Sequence, residues 1–216
     1  MNVRLIVSVT IVVAMAAFVG AAAIFGRPEP TASAPVNGAQ LVRTHSPIIG
    51  RVDARVTVVE FFDPACEACR AFYPVMREIL AAHPQEVRLV MRYAPLHEGS
   101  DEAVRILEAA RRQQKFEPVL EALLNGQPEW AVHGAPDLAK AWTIAETAGL
   151  DVERAKRDAK LPEIQEVLRQ DIADIEAANI RRTPTFFVNG KPLTEFGAQQ
   201  LYDLIVSEMK APADGL

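Results

Sequence analysis

The stretch VTVVEFFDPACEACRAFY, residues 56–73, constrains the fold most, because it joins a strand-like run directly to a helix that opens with two cysteines. The run Val56–Phe62 is apolar at nearly every position, as is typical of a central strand covered on both faces. After a short turn, apolar residues recur at helical spacing. The sequence therefore places Cys66 at or just before the first helical turn and Cys69 one turn further in.

This position predicts different chemistry for the two thiols. Residues three apart share one face of a helix, so the pair lies close enough for a disulfide, which needs Cα atoms roughly 4.4–6.8 Å apart. Free backbone N–H groups and the helix dipole stabilise an anion at this end. We therefore expect a pKa for Cys66 below the usual value of about 8.5. Cys66 is predicted to attack and the less exposed Cys69 to resolve.

Structural roles for the pair are less favoured by the same sequence. Cys66 and Cys69 are the only cysteines in the chain, so a four-cysteine zinc site is excluded. A purely structural bridge across so short a loop would constrain the unfolded chain little. A CxxC pair beside a β–α–β pattern indicates redox chemistry.

Glu60 interrupts the apolar strand six residues before Cys66. A carboxylate inside such a run is costly unless it is used or paired. One interpretation is a partly buried acid with a raised pKa that exchanges protons with Cys69. The other is a strand-end carboxylate that faces solvent or pairs with a Lys or Arg side chain.

The N-terminal part of the 216-residue chain predicts export. Residues 5–25 carry no charge and are long enough to cross a bilayer core of about 30 Å as a helix. The apolar region of a signal peptide is usually about 7–15 residues. We expect residues 1–26 to be a retained anchor with the domain outside, although Ala21–Ala23 offers a cleavage site for a removable signal. Residues 27–40 are rich in Pro, Ala and Ser and indicate a flexible linker.

The remaining sequence predicts an α/β domain over residues 41–210, followed by a tail at 211–216. Residues 86–93 alternate apolar and polar side chains and complete a β–α–β unit. Helical stripes fill about residues 100–180, where we expect an inserted helical lid because α/β signals resume afterwards. A short edge strand is expected at Leu41 and Val42. Three histidines, His83, His97 and His133, lack metal-like spacing and are interpreted as surface or loop residues.

A second informative stretch, RRTPTFFVNG, occupies residues 181–190. Thr185–Val188 is a β-rich run, and Asn189-Gly190 is a strong hairpin signal. Pro184 stands at the start of this predicted strand, a position that tolerates proline at a sheet edge.

Together, VEFFDPACEAC and RRTPTFFVNG resemble the DsbA-like branch of the thioredoxin superfamily, over about residues 41–210. The resemblance implies a thioredoxin-like fold with an inserted helical domain and thiol:disulfide oxidoreductase activity. It implies a cis Thr183–Pro184 bond facing the cysteines, with the Thr183 backbone offered to an extended substrate chain. It also implies that Glu60 is the buried proton-exchanging acid of this family.

The dipeptide between the cysteines, Glu67-Ala68, departs from the family pattern. Strong DsbA oxidants typically carry Pro-His here, and thioredoxins carry Gly-Pro. We expect Glu67 to disfavour the Cys66 thiolate by like charge and so to make the disulfide a weaker oxidant. The net direction therefore stays open between an oxidase and a reductase or isomerase that serves cytochrome or metalloprotein assembly.

The predicted exchange needs no cofactor beyond the Cys66–Cys69 disulfide. Its expected partners are exported cysteine-containing proteins and a membrane redox partner. We expect a bacterial inner-membrane protein, single-pass through residues 5–25, with its domain in the periplasm, or a soluble periplasmic protein after cleavage. The net charge of −5 and the lack of basic clusters argue against nucleic-acid binding. Two other classes stay open: a Cu(I)-binding protein that uses both thiolates, and a peptide-binding chaperone.

Overall fold

The computed structural model describes residues 41–211. The expected membrane segment at residues 5–25, the linker at 27–40 and most of the C-terminal tail lie outside that range. Within residues 41–211, no helix is long and apolar enough to cross a membrane. The anchor therefore stays a prediction.

A five-stranded sheet with the order β1-β3-β2-β4-β5 forms the centre of the domain. β2 and β3 are parallel, whereas β1, β4 and β5 run antiparallel to their neighbours, so the predicted β–α–β unit is confirmed. The strands are β1 Ile48–Gly50, β2 Val56–Phe62, β3 Val87–Tyr93, β4 Thr185–Val188 and β5 Lys191–Pro192.

The edge strand is misplaced in the prediction from sequence. Leu41 and Val42 form no strand, and the edge position belongs to β1, which pairs antiparallel with β3. Leu41 is instead buried in a hydrophobic cluster with residues of β2 and β3. In β1, Ile49 is buried between two exposed neighbours, and so short an alternation gives a weak signal.

Helix α1, Glu67–Ala82, follows β2, and α8, Ala198–Lys210, closes the fold. Six helices lie between β3 and β4, as expected for the inserted helical region. They are α2 Ser100–Arg112, α3 Phe116–Asn125, α4 Gln127–Trp130, α5 Leu138–Thr147, α6 Val152–Asp158 and α7 Pro162–Ala177.

The sheet separates two hydrophobic clusters. The larger one joins β2 residues such as Val58 and Phe62 to α1, α8 and the inserted helices, and it includes both cysteines. The smaller one contains Val59 and Phe61 together with Ile175 near the end of α7. Because successive side chains of a strand point to opposite faces, Glu60 shares the face of Val58 and Phe62. Glu60 and the two cysteines therefore lie on the same side of the sheet.

The other face of the sheet carries a buried network of charges. Arg92 of β3 is fully buried, and its Nη2 lies 2.8 Å from Asp171 and 2.6 Å from Asp174 of α7. Arg43 pairs with Asp174 at 2.7 Å, and His45 lies 2.7 Å from Asp171. These contacts fasten residues 43–45 and α7 to the central sheet.

Candidate active site

Cys66 is the N-cap of α1, with extended backbone angles, and only 6% of its surface is exposed. Its Sγ lies 3.2 Å from the backbone oxygen of Thr183, to which the protonated thiol donates. A hydrogen bond with Cys69, and further bonds from the N–H groups of Cys69 and Ala68, outweigh burial and lower the pKa of Cys66 to about 5. Cys66 is therefore a thiolate at neutral pH, as its place at a helix N-terminus predicts.

Cys69 lies one turn into α1 and is fully buried. The N–H of Asp63 donates to its sulfur at 3.4 Å. Burial, followed by the hydrogen bond to Cys66 and the charge of Glu60, raises the pKa of Cys69 far above its usual range. Both cysteines are free thiols here, and the structure separates a reactive Cys66 from a protonated Cys69.

Glu60 lies in the centre of the sheet, opposite Met91 on one side and Phe186 on the other. Only 1% of its surface is exposed, and its buried Oε1 has no hydrogen-bond partner among residues 41–211. Burial first, and the charge of Cys66 second, raise the pKa of Glu60 to about 8. These features agree with the interpretation of Glu60 as a buried acid and not with a strand-end carboxylate. The carboxyl is then protonated at neutral pH.

The peptide bond between Thr183 and Pro184 is cis. It directly precedes β4, which pairs antiparallel with β2, the strand that leads into the cysteine turn. This pairing explains why the Thr183 carbonyl reaches Cys66 across about 117 positions of sequence. Pro184 lies at the start of an internal strand, since β4 is flanked by β2 and β5.

Asp63, for which the sequence predicted no role, is fully buried beside the cysteines. It accepts hydrogen bonds from the N–H groups of Ala65 at 2.9 Å and Leu96 at 2.7 Å. Its Oδ2 also lies 2.7 Å from Nδ1 of His97. An aspartate between a buried strand and a helix start was a usable signal, because such residues accept bonds from turn N–H groups.

His97 and His133 lie in loops, as predicted, but the sequence did not predict that both lie beside the cysteine turn. The two rings lie 6.0 Å apart, and Nε2 of His133 is 2.9 Å from Oε1 of Glu67. Glu67, whose like charge was expected to disfavour the Cys66 thiolate, thus pairs with a histidine from the inserted region. Ala68, the other residue of the dipeptide, is partly buried against the core and offers its N–H to Cys66.

With this geometry in place, comparison with known proteins identifies the family. A family model described as Thioredoxin matches residues 43–205. The chain belongs to the thioredoxin family. A solved thioredoxin-like oxidoreductase from Silicibacter pomeroyi DSS-3 is similar at 33% identity, with a TM-score of 0.70, over 82% of this chain and 99% of that one.

Two more distant structures extend the likeness of fold to DsbA-type members of the thioredoxin family. BdbD from Bacillus subtilis is 24% identical, with a TM-score of 0.68, over 77% of this chain and 94% of that chain. Wolbachia pipientis alpha-DsbA1 is 17% identical, with a TM-score of 0.69, over 78% and 93%. The resemblance inferred from the two motifs is confirmed for the family and the fold: this thioredoxin-family chain carries a CxxC pair, is similar to a thioredoxin-like oxidoreductase, and shares the fold of DsbA-type structures.

The curated relatives are much longer proteins. The Na(+)/H(+) antiporter NhaA of Herminiimonas arsenicoxydans is 33% identical over 146 residues, which cover 68% of this chain and 22% of that protein. NhaA 1 of Mycolicibacterium gilvum is 30% identical over 175 residues, covering 76% and 26%. The thioredoxin-family chain thus spans about a quarter of the curated relatives it matches, and antiport is an activity of those longer proteins.

Proposed function

We propose that this protein exchanges disulfides with exported cysteine-containing proteins through a mixed disulfide on Cys66. The observation that carries the proposal is the contrast between the two thiols. Cys66 has a pKa of about 5 at a helix N-terminus, whereas the pKa of the buried Cys69 is raised far above its usual range. Such a pair forms its bond to substrate at one sulfur and closes from the other.

In the oxidising direction, a substrate thiolate attacks Sγ of Cys66 and breaks the Cys66–Cys69 bond. Cys69 leaves as a thiolate and takes a proton, and Glu60 is the acid beside it. A second substrate thiolate then attacks the substrate sulfur of the mixed disulfide, and Cys66 leaves as a thiolate. The substrate loses two electrons and the cysteine pair gains them; a membrane redox partner then removes them.

In the reducing direction, the same residues act in reverse. The Cys66 thiolate attacks a substrate disulfide, and Glu60 as a carboxylate takes the proton of Cys69 before Cys69 resolves the mixed disulfide. A pKa of about 8 suits both tasks, because the group is partly in each form near neutral pH.

In this proposal, Thr183 and Pro184 bind the backbone of the substrate. The Thr183 oxygen lies 3.2 Å from Sγ of Cys66. Neither the Cys66 thiolate nor a mixed disulfide on Cys66 has a proton to donate, so the oxygen is available to an N–H of the extended substrate. The substrate strand would then lie beside the reacting sulfurs.

The low pKa of Cys66 favours a net oxidising role, because a stable thiolate stabilises the reduced form. Thioredoxin combines a cysteine pKa of about 7 with a potential of roughly −270 mV. Two units of pKa are worth up to about 60 mV for a two-electron couple. We expect roughly −230 to −210 mV, in the glutaredoxin range. A value near −270 mV would favour the alternative role as a reductase in cytochrome or metalloprotein assembly.

We also propose that residues 5–25 hold the domain at the bacterial inner membrane, facing the periplasm. The uncharged length of the segment and the linker after it support this location. Relatives named as ion antiporters support it as well, because proteins of that name act across a membrane. Full-length protein should sediment with membranes and resist extraction by high salt. A soluble form that begins after Ala23 would show a cleaved signal instead.

A trapping experiment tests the exchange itself. Cys69→Ser should accumulate mixed disulfides on Cys66 with exported proteins, because the resolving thiol is missing. Cys66→Ser should accumulate almost none. Non-reducing gels and mass spectrometry of the trapped species measure both. Equal trapping by the two variants, or none by either, would overturn the proposal.

A further inference from the structure

Two acid–histidine pairs flank Cys66, and the exchange mechanism above makes no use of them. Asp63 lies three residues before Cys66 and binds His97 at 2.7 Å. Glu67 directly follows Cys66 and binds His133 at 2.9 Å. Both histidines come from the inserted region: His97 lies just before α2, and His133 lies between α4 and α5.

The pair of Asp63 and His97, here the inner pair, is held in place by several hydrogen bonds to Asp63. The Asp63 side chain is fully buried and accepts bonds from the Leu96 N–H at 2.7 Å and from the Ser100 hydroxyl. The backbone oxygen of Asp63 accepts from the Cys66 N–H at 3.1 Å. A buried carboxylate is therefore fixed close to the reactive cysteine, where its charge opposes formation of the thiolate. His97 is the basic side chain that pairs with it.

The pair of Glu67 and His133, here the outer pair, is more exposed. About half of the Glu67 side chain (54%) and 70% of the His133 side chain are accessible to solvent. Solvent screens such a pair strongly. The two histidines border a cleft of about 190 Å³ beside the active-site turn, which Ala65 and Glu98 also line.

The charged groups around His97 favour its protonated form. They are Asp63, Cys66 and Glu67. Glu98 and His133 also line the cleft beside His97, and a positive charge on His133 would oppose protonation of His97. Partial burial lowers the pKa of His97, but the hydrogen bond to Asp63 and the charges of Asp63, Cys66 and Glu67 outweigh it, and the pKa is raised above its usual value.

We propose that protonated His97 neutralises Asp63 and thereby stabilises the Cys66 thiolate, so that the inserted region sets the oxidising strength of the cysteine pair. His97 acts through Asp63, with which it pairs at 2.7 Å, and is therefore a positioning residue. The proposal rests on the proposed exchange only in taking Cys66 as the redox-active thiol.

A pH dependence follows from the balance of protons. Reduction of the disulfide by two electrons produces a thiolate at Cys66 and a protonated thiol at Cys69, with uptake of one proton. Because the new thiolate raises the pKa of His97, reduction also draws part of a proton onto His97 near that pKa. At higher pH, His97 is neutral in both redox states and this contribution disappears.

The test is the exchange equilibrium of the protein with glutathione, measured at about pH 6 and about pH 9, on either side of an ordinary histidine pKa. His97→Gln keeps a hydrogen-bonding side chain next to Asp63 but cannot carry charge. We expect a roughly three- to tenfold weaker oxidant at about pH 6, tenfold being one unit of thiol pKa. At about pH 9, we expect no difference from wild type.

Two further variants make the result decisive. His97→Lys keeps a cation, so it should match wild type at about pH 6 and be the stronger oxidant at about pH 9. His83→Gln, at the far end of α1, is the matched control and should change neither value. An equal loss for His97→Gln at both pH values would show a merely structural role, and no loss at either would show that His97 is not coupled to Cys66. Both results would overturn the inference.

The glutathione measurement uses no protein substrate, so it fails independently of the proposed function. If Cys69→Ser traps no exported protein while His97→Gln behaves as expected, the substrate proposal fails and the charge proposal stands. If Cys69→Ser traps exported proteins while His97→Gln matches wild type at both pH values, the charge proposal fails and the substrate proposal stands.

Discussion

Both faces of the central sheet bury acidic side chains, but the surroundings of those side chains differ. On the face away from the cysteines, Asp171 and Asp174 are bound by Arg92, and Asp174 also binds Arg43. On the cysteine face, Glu60 is as deeply buried, yet its Oε1 lacks a partner among residues 41–211. One face satisfies its buried acids, and the other leaves one unsatisfied.

The two environments move the pKa values in opposite directions. Burial raises the pKa of Asp174, but bonds from Arg43 and Arg92 outweigh it and lower the value to about 2. At Glu60, burial and then the charge of Cys66 raise the pKa to about 8. The paired acids hold parts of the chain together, whereas the unpaired acid keeps an exchangeable proton beside Cys69. A strongly perturbed group beside a reactive one marks a functional site.

The largest effect should come from breaking the paired face. Arg92→Leu leaves Asp171 and Asp174 buried without their shared cation, and loss of one partner of a buried ion pair costs about 3–5 kcal/mol. Urea unfolding should show that loss. The pH profile for alkylation of Cys66 should not move, because this network lies across the sheet.

Arg77→Leu is the matched control for that experiment. Arg77 pairs with Glu117 at 2.8 Å, with both side chains about half exposed, so unfolding should be nearly unchanged. A stability for Arg92→Leu close to that of wild type would contradict the distinction between the two faces.

Glu60→Gln should have the opposite effect on stability. A carboxyl whose pKa is raised on folding contributes its stability below the unfolded pKa of about 4.5, and loses it as pH rises through about 8. The reduced wild-type protein should therefore lose about 2–3 kcal/mol across this range through Glu60, after allowance for structural relaxation. The variant should lose correspondingly less, as measured by urea unfolding at several pH values. Parallel curves for the two proteins would place Glu60 in a more polar site than the one described.

The same substitution should slow the chemistry of Cys69. A neutral amide cannot take the Cys69 proton, so breakdown of a mixed disulfide on Cys66 should slow by about tenfold or more near neutral pH. Stopped-flow measurement of thiol release gives this rate. Glu108→Gln changes another buried acid, one bonded to Tyr93 at 2.8 Å, and should leave the rate unchanged. Equal slowing by both variants would point to general disturbance of the core.

Glu67→Gln should have the smallest effect. Glu67 is half exposed and already pairs with His133, so its charge is screened at Cys66. We expect the pKa of Cys66 to move by less than about half a unit, or about 0.7 kcal/mol. Thiolate absorbance against pH measures it. A shift of a full unit would restore the simple like-charge effect expected from the sequence.

The sequence predicts much of this fold because its strongest signals are local. The apolar run of β2 and the helical spacing of α1 are each visible within one stretch. Glu60 is conspicuous because a single carboxylate interrupts the run. The DsbA-like resemblance comes from two motifs that are each short and contiguous.

The features that sequence did not predict depend on contacts between distant stretches. His97 follows the end of β3, which lies next to the end of β2, and His133 lies in a loop between α4 and α5. No periodicity predicts that the two rings meet beside the cysteine turn. Strand β1 is three residues long, too short for alternation to distinguish it from a turn. The role of Asp63 depends on donors from Leu96 and Ser100, which the sequence places more than thirty positions away.

Alkylation of the reduced wild-type protein with iodoacetamide, followed across pH and mapped by mass spectrometry, tests the central claim most directly. The account predicts a single reactive thiol, Cys66, whose rate is half-maximal near pH 5. Cys69 should stay unmodified until well above neutral pH. A half-maximal rate near the ordinary thiol value of about 8.5, or equal labelling of both cysteines, would contradict the account.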